Sequence, residues 1–219
     1  REDAAQYWSS AIANLAIDDD VKVCFSQPSM LDAFIRVAKC ATSPDAVRYT
    51  CRAMSNLCLH DGPGREVFAS PEIVDEFLVI LARHAVSSEA AQWVVNLISN
   101  MALIKRARLA YYGSGQTIVD IYLALAPFCR EPTAVSSFCT SVHNLCIEPH
   151  LRPFFAIPEF IEALLTLTKF VTTREAARCW SQCQHNIIVG AGQQDAFANK
   201  EYKNALCVAV LIENSAFLT

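Results

Sequence analysis

The stretch Ala53-Met-Ser-Asn56-Leu-Cys-Leu59 decides the fold of this chain, because its pattern returns four more times at intervals of 42 to 44 residues. In every copy a central asparagine is followed by three apolar residues. A fixed spacing of 20–50 residues is the signature of a repeat architecture. The other copies are 11–17, 97–103, 141–147 and 183–189, and the five central asparagines are Asn14, Asn56, Asn100, Asn144 and Asn186.

A second marker keeps the same phase as the asparagine. An aromatic residue follows each asparagine by 11 or 12 positions, and in four copies a proline or glycine stands three residues further on. Apolar residues with helical spacing come next. Each unit is therefore predicted to be a short helix, a bend, a long helix, a loop and a second long helix that carries the asparagine. The aromatic residues are Phe25, Phe68, Tyr112, Phe155 and Phe197, and the breakers are Pro28, Pro71, Gly115 and Pro158.

Three helices in about 43 residues, with a breaker after the first, resemble the armadillo repeat, and the resemblance covers about residues 7–213. It implies an all-α fold, a right-handed superhelical solenoid of three-helix repeats. It also implies that the third helices line a concave groove that holds extended peptide segments of other proteins. HEAT repeats have units of similar length, but the extra short helix and the asparagine favour armadillo.

The chain is predicted to be a single armadillo-repeat domain over residues 1–219. A terminal repeat ordinarily needs a polar outer face, and Trp8 gives little sign of one. We therefore expect the natural protein to be longer, in agreement with a first residue Arg1 rather than Met, or an end to pair with another copy. The predicted parts are a lone third helix at 1–17, full repeats at 18–60, 61–104, 105–148 and 149–190, and a partial last repeat at 191–219.

A helical wheel separates a core side from a free side on each third helix. With the asparagine at zero and about 100° per residue, positions −6, −2, +1 and +2 lie on the side opposite the asparagine. Apolar residues dominate these positions, so they are predicted to form the core. Positions 0, −4 and −7 are predicted to form the free face. At −4 it carries Ser10, Arg52, Asn96, Thr140 and Gln182, and at −7 Tyr7, Tyr49, Trp93, Ser137 and Cys179.

The free face is interpreted as a partner-binding surface. The amides of Asn14, Asn56, Asn100, Asn144 and Asn186 would clamp the backbone of an extended peptide, and Tyr7, Tyr49 and Trp93 would form pockets for its side chains, next to Arg52 and Asn96. Because the aromatic stripe stops after Trp93, the peptide is expected to anchor towards the N-terminal half. In the alternative interpretation, each asparagine bonds to the neighbouring repeat and sets the stacking geometry.

Two armadillo specificities are not supported by the residues present. The importin-α-like receptors carry tryptophan four residues before the groove asparagine, and none of the five −4 positions here is tryptophan. A catenin-like groove is strongly basic, whereas Arg48, Arg52 and Arg178 are the only cations at positions −8 and −4. Neither a basic localisation peptide nor a catenin-type ligand is therefore predicted.

Other motifs have ordinary structural interpretations. His143 and His185 share position −1 and suggest a metal or pH-sensitive pair. The equivalents Ala13, Ser55 and Ser99 favour a position that merely tolerates polar residues. The glycine pairs are predicted to be helix connections with positive φ, and the run from Lys105 to Arg108 to be a solvated face. No nucleophile with a base is recognised, so no enzyme activity, metal or cofactor is expected. Gln184 at a core position breaks the repeat.

Composition limits the partners and the compartment. The net charge of −4 gives no field that favours nucleic acid or an anionic membrane. Ten cysteines without a CxxC motif, and no membrane-spanning run, predict a soluble protein of a reducing intracellular compartment, the cytoplasm. The predicted function is a non-catalytic protein–protein interaction scaffold. The alternative is a structural spacer in a larger assembly, with contacts and self-association through exposed repeat ends and no groove ligand.

Overall fold

A computed structural model describes residues 2–59 and 64–191 of the chain. Within these ranges the protein is all-helical and contains no β-strand, so the all-α prediction is confirmed. The helices are α1 (Glu2–Leu15), α2 (Asp19–Phe25), α3 (Pro28–Ala38), α4 (Pro44–Leu57), α5 (Gly64–Val67), α6 (Val79–His84), α7 (Ser88–Met101), α8 (Lys105–Tyr112), α9 (Gly115–Leu125), α10 (Pro132–Leu145), α11 (Arg152–Phe155), α12 (Pro158–Leu167) and α13 (Arg174–Ala191). A π-helical segment Ile73–Leu78 precedes α6, and 3-10 turns lie at Ala126–Phe128, Pro149–Leu151 and Thr168–Phe170.

Local sequence signals start the helices that carry the asparagines. The hydroxyl of Ser43 accepts a hydrogen bond from the backbone N–H of Ala46 (3.3 Å), and Ser87 caps α7 in the same way. Thr173 accepts from the N–H of Ala176 (3.2 Å) at the start of α13. Each cap satisfies a backbone donor that has no partner inside its helix. These starts are therefore encoded within a few residues.

The helices α1, α4, α7, α10 and α13, here called the asparagine helices, pack against one another in chain order. The core positions predicted by the helical wheel are buried in almost every copy. Leu15 is an exception with 49% of its surface exposed, because no helix precedes α1 in the described residues and its side chain has no neighbour on that side. Gln184 is buried as predicted, although it is polar.

Two clusters of aromatic rings fill the core beneath the asparagine helices. Phe34, which is fully buried, has its ring centroid 5.2 Å from that of Trp8 and 5.7 Å from that of Phe68, in edge-to-face arrangements. Tyr122 occupies a similar place further along the chain, with the Phe138 ring at 5.1 Å. Edge-to-face aromatic pairs stabilise beyond their buried area. Of the aromatic marker residues, Phe68 and Phe155 belong to these clusters, Phe25 is half-buried, and Phe197 lies outside the described residues.

The predicted aromatic marker of the third full repeat, Tyr112, is the wrong one of two adjacent tyrosines. The sequence pattern predicts Tyr112 as the aromatic marker of its repeat. In the structure Tyr112 is 47% exposed, and its neighbour Tyr111 is fully buried. The Tyr111 hydroxyl lies 3.3 Å from the sulfur of Met101. Adjacent residues of a helix point about 100° apart, so only one of the two tyrosines can face the core. Tyr111 stands 11 positions after Asn100, as Phe25 does after Asn14.

Arginine side chains cap the C-terminal ends of three asparagine helices. Arg65 donates to the carbonyl oxygen of Cys58 (2.6 Å), Arg108 to that of Ala102 (2.7 Å), and Arg152 donates in the same way after α10. Carbonyl groups at a helix C-terminus lack intrahelical partners and carry partial negative charge. The prediction of a solvated basic face is therefore wrong for Arg108, which is half-buried.

Glycines in the described connections do not adopt the positive φ that the sequence suggested. Gly113 has a φ of −59°, in the right-handed region. Glycine is needed for close approach instead. A Cβ on Gly64 would clash with the carbonyl oxygen of Leu57, which is backbone and has no freedom to move aside. Gly115 leaves room for the ring of Phe154 in a similar manner.

The cysteines of the described residues are free thiols, and most are buried. Burial raises the pKa of Cys58 and of Cys129 to about 12, since desolvation disfavours the thiolate. Only the thiolate is an effective nucleophile. These cysteines therefore serve as small apolar core residues, and Cys24 is exposed.

We expect iodoacetamide to alkylate Cys24 in the native chain and to leave Cys58 and Cys129 unmodified until the chain unfolds. Peptide mass spectrometry after timed labelling at pH 8, with and without urea, measures the difference. Labelling in 6 M urea is the control that every thiol can react. Equal native rates at Cys24 and Cys58 would contradict the burial described above.

Candidate functional site

The asparagine face comprises the five asparagines and the residues four and seven positions before each of them. Tyr7 is 73% exposed and Asn14 is exposed, whereas most of the other members are half-buried. Cys179 departs from the prediction of a free face because it is buried with 3% exposure and bonded to Thr140. The face is therefore most open at α1.

Three of the asparagines cross-link neighbouring asparagine helices. Asn56 Nδ2 donates to the carbonyl oxygen of Ala13 (2.7 Å), and Asn144 Nδ2 donates to Ser99 Oγ (2.9 Å). Asn186 Nδ2 donates to the carbonyl oxygen of His143 (3.2 Å). Each acceptor belongs to the residue just before the preceding asparagine. The geometry of these three residues agrees with the stacking interpretation.

Each of these cross-links uses one amide nitrogen. A side-chain amide has two N–H donors and a carbonyl oxygen with two lone pairs. In Asn56 and Asn144 the oxygen and the second N–H keep hydrogen-bonding capacity for a ligand, whereas Asn186 keeps only its oxygen, because its nitrogen also lies 3.0 Å from His143 Nδ1. Asn14 and Asn100 keep more, because neither side chain makes a hydrogen bond to a described residue. Asn14 is exposed and Asn100 is half-buried.

Further polar contacts fix the spacing of the asparagine helices. Ser9 Oγ and Thr50 Oγ1 are 3.0 Å apart in a buried hydrogen bond between α1 and α4. Arg48 Nη1 lies 3.0 Å from a carboxylate oxygen of Glu89, which links α4 to α7. Buried hydrogen bonds between fixed elements specify one register. The polar cross-links therefore hold the asparagine face at a defined geometry.

The three cations predicted near the face differ in their availability. Arg48 is ion-paired with Glu89 and lies over the Tyr49 ring at 4.5 Å from its centroid. Arg178 is paired with Glu175 at 2.6 Å, and this hydrogen bond holds the pKa of Glu175 below its usual value. Arg52 is half-buried and has no ion pair with a described residue. Arg52 is thus the cation that is free to meet a ligand.

The structure brings most of the predicted site residues onto consecutive, mutually packed helices. Tyr7 lies on α1, Tyr49 and Arg52 lie on α4, and Trp93 and Asn96 lie on α7. Trp93 is half-buried and packs against the core with part of its ring. Asn144 and Asn186 lie apart from this group, on α10 and α13. The N-terminal group therefore combines aromatic surface, an unpaired cation and free amide groups.

A second feature, a pocket of about 560 Å³ at α10 and α13, was not predicted as a site. The sequence signal was present, because Gln184 occupies a position that is apolar in the other four copies. Gln184 is 1% exposed, and neither its Oε1 nor its Nε2 has a hydrogen-bond partner among the described residues. The residues that line the pocket are His143, Ser181, Gln182, Gln184, His185 and Ile188.

Neither feature holds a recognisable metal centre. Across residues 2–59 and 64–191, no three His, Cys, Asp or Glu side chains are grouped as ligands for an ion. His143 and His185 line the same pocket, and His143 also lies beside Asn186, with Nδ1 3.0 Å from the amide nitrogen. The two imidazoles and the Asn186 amide can donate and accept hydrogen bonds.

No helix in the described part of the chain is long and apolar enough to cross a membrane. Comparison of the chain with known proteins gave no match to a family model, to a curated protein or to a solved structure.

Proposed function

We propose that this chain is an armadillo-like, right-handed superhelical solenoid and a non-catalytic scaffold that binds an extended segment of a partner protein along the asparagine face. The observation that carries the proposal is the group on α1, α4 and α7, where Tyr7, Arg52 and Asn100 have no polar partner among the described residues. Buried polar groups in folded proteins are normally hydrogen-bonded, and the half-buried Arg52 and Asn100, together with the exposed Tyr7, leave donors and acceptors on one face that a ligand can use.

The chemistry of this group specifies the kind of segment. The Asn100 amide offers a donor and an acceptor, the pair that a peptide group of an extended backbone requires. Tyr49 and Trp93 offer partly exposed ring surface to apolar side chains. Arg52 offers a guanidinium to a carboxylate. The proposed partner segment is therefore extended, carries apolar side chains and includes an acidic residue.

A peptide-display selection against the full chain tests the proposal, because it supplies a defined probe. We expect the selected peptides to lose at least about tenfold in affinity when Asn100 is replaced by alanine, which corresponds to the loss of about one hydrogen bond or more. Fluorescence anisotropy of a labelled peptide measures the affinity. Stability in urea is expected to change by less than about 0.5 kcal/mol, because the Asn100 side chain has no hydrogen-bond partner in the described structure.

Asn56→Ala is the matched variant, since Asn56 bonds to the carbonyl oxygen of Ala13 and its loss should lower the free energy of unfolding by about 1 kcal/mol. Gln116→Ala on α9, away from the asparagine helices, is the control and should change neither property. Selected peptides that bind Asn100→Ala as tightly as the unchanged chain would refute groove binding.

The second candidate is a structural spacer with no groove ligand, which assembles or self-associates through its ends. Two observations favour it: the cross-links made by Asn56, Asn144 and Asn186, and an open groove of about 380 Å³ between α1 and α3 that Trp8 and Ala33 help to line. Under this proposal Asn100→Ala leaves every association unchanged. Both candidates are placed in a reducing intracellular compartment, which the buried free thiols support.

A further inference from the structure

We propose that the pocket at α10 and α13 binds a neutral amide group, the side chain of a glutamine or asparagine in the segment that the asparagine face holds. The pocket lies at the last described asparagine helix, and Gln182, an exposed member of the asparagine face, is on its rim. The inference rests on the proposed function only for the source of the amide. The proposal that the pocket binds an amide depends only on the residues that line the pocket.

Two of the residues that line this pocket, Gln184 and Ser181, carry buried polar atoms without a partner among the described residues. Gln184 is buried with 1% exposure, and within residues 2–59 and 64–191 both of its amide atoms lack a hydrogen-bond partner. Ser181, one turn earlier on α13, is partly buried and its hydroxyl is also unpartnered. A buried polar group without a partner is strongly disfavoured unless something supplies the missing hydrogen bonds. Donors and acceptors are therefore in place for a guest.

The polarity is specific to this copy of the repeat. The residues equivalent to Gln184 in the other asparagine helices are apolar and buried, so the same place is dry core elsewhere. In the other four copies an apolar side chain is sufficient to pack this position. The amide in the fifth copy therefore has a role other than filling space. The four equivalents are Ile12, Met54, Ile98 and Val142.

The lining selects a neutral guest that both donates and accepts. The described lining residues include no carboxylate, lysine or arginine, so an ionised group would enter without a counter-charge. The Gln184 amide presents a donor and an acceptor side by side, and another amide matches both at once. The imidazoles of His143 and His185 add one donor or acceptor each. An apolar guest would leave all of these groups unpaired.

A titration with acetamide, followed by NMR on the full chain labelled with ¹⁵N-glutamine, tests the class of ligand. We expect acetamide to shift the side-chain amide signals of Gln184 saturably. Acetone, which only accepts, and acetate, which is charged, should bind at least tenfold more weakly. Equal binding of acetone or acetate would overturn the amide assignment.

The source of the amide is tested with two capped tripeptides, acetyl-Gly-Gln-Gly-amide and acetyl-Gly-Leu-Gly-amide. The glutamine peptide should bind at least tenfold more tightly than acetamide and than the leucine peptide, which offers only the capping and backbone amides that both peptides share. A glutamine peptide that binds no better than acetamide, or no better than the leucine peptide, overturns the assignment to a segment side chain.

Gln184→Leu should abolish the acetamide effect, read in this variant from the backbone amide signals of α13 in the uniformly labelled chain. Gln184→Met serves as a second variant of similar length, and Gln116→Leu on α9 is the matched control. Acetamide binding that persists in Gln184→Leu overturns the inference. Asn100→Ala should leave acetamide binding unchanged, so a failure of this inference is separable from a failure of groove binding.

Discussion

Replacement of Phe34 by alanine is expected to lower the free energy of unfolding by about 3–5 kcal/mol, the usual cost of removing a large buried ring. Phe34 is fully buried, and its ring contacts those of Trp8, Phe68 and Phe77 at centroid distances of 5.2–6.3 Å. These three rings come from separate segments of the chain, so the cavity left by alanine would lie where the segments meet. Urea denaturation followed by far-UV circular dichroism measures the change.

Tyr7→Ala is the control for this effect. Tyr7 is an aromatic residue on the neighbouring helix α1, but it is 73% exposed, so its loss should change stability by less than about 0.5 kcal/mol. A Phe34→Ala variant that loses no more than Tyr7→Ala would show that the aromatic cluster does not hold these segments together. The denaturant slope should stay the same in both variants if unfolding exposes the same surface.

Gln184→Leu is expected to raise the free energy of unfolding by about 1–3 kcal/mol, although it changes a buried residue. Most substitutions in a core destabilise, but this one removes a desolvated amide whose two polar atoms have no partner in the described part of the chain. Leucine has similar volume and matches the aliphatic residues at the equivalent positions, such as Ile98. Denaturation of the ligand-free chain in urea measures the gain.

Gln182→Leu provides the comparison, since Gln182 is exposed on the same helix and its replacement should leave stability nearly unchanged. A loss of stability in Gln184→Leu would mean that the amide already has a partner in solution, such as an ordered water. That outcome would also weaken the case for an amide ligand. A gain in stability together with lost acetamide binding would support both.

The core side of the asparagine helices could be predicted from the sequence because angular position on a helix depends only on residue number. The positions represented by Leu57, Met54 and Thr50 are buried as the wheel predicted, and the exceptions such as Leu15 reflect a missing neighbour. The same reasoning does not decide which of two adjacent tyrosines is buried when the loop before them varies in length by one residue. For this reason Tyr112 was predicted at the position that Tyr111 occupies.

Hydrogen-bond partners could not be predicted in the same way. The wheel places Asn56 on the free side, but the bond to Ala13 depends on the distance and offset between α1 and α4, which the sequence pattern does not contain. The arginine caps were missed for a similar reason, since a long side chain reaches a carbonyl group only when the next helix turns back towards it. Whether a side chain reaches a partner depends on how the helices are placed in three dimensions, whereas the buried side of a helix follows from the local spacing of its apolar residues.

The cross-links between neighbouring asparagine helices all join residues that are 39 to 45 positions apart in the chain. The cost in chain entropy of closing such a loop grows only slowly with length, and here it is nearly the same at each step. During synthesis, each new asparagine helix therefore meets a surface that was completed about one unit earlier. Between residues 2 and 191 the described structure can therefore form progressively on the ribosome, one asparagine helix after another.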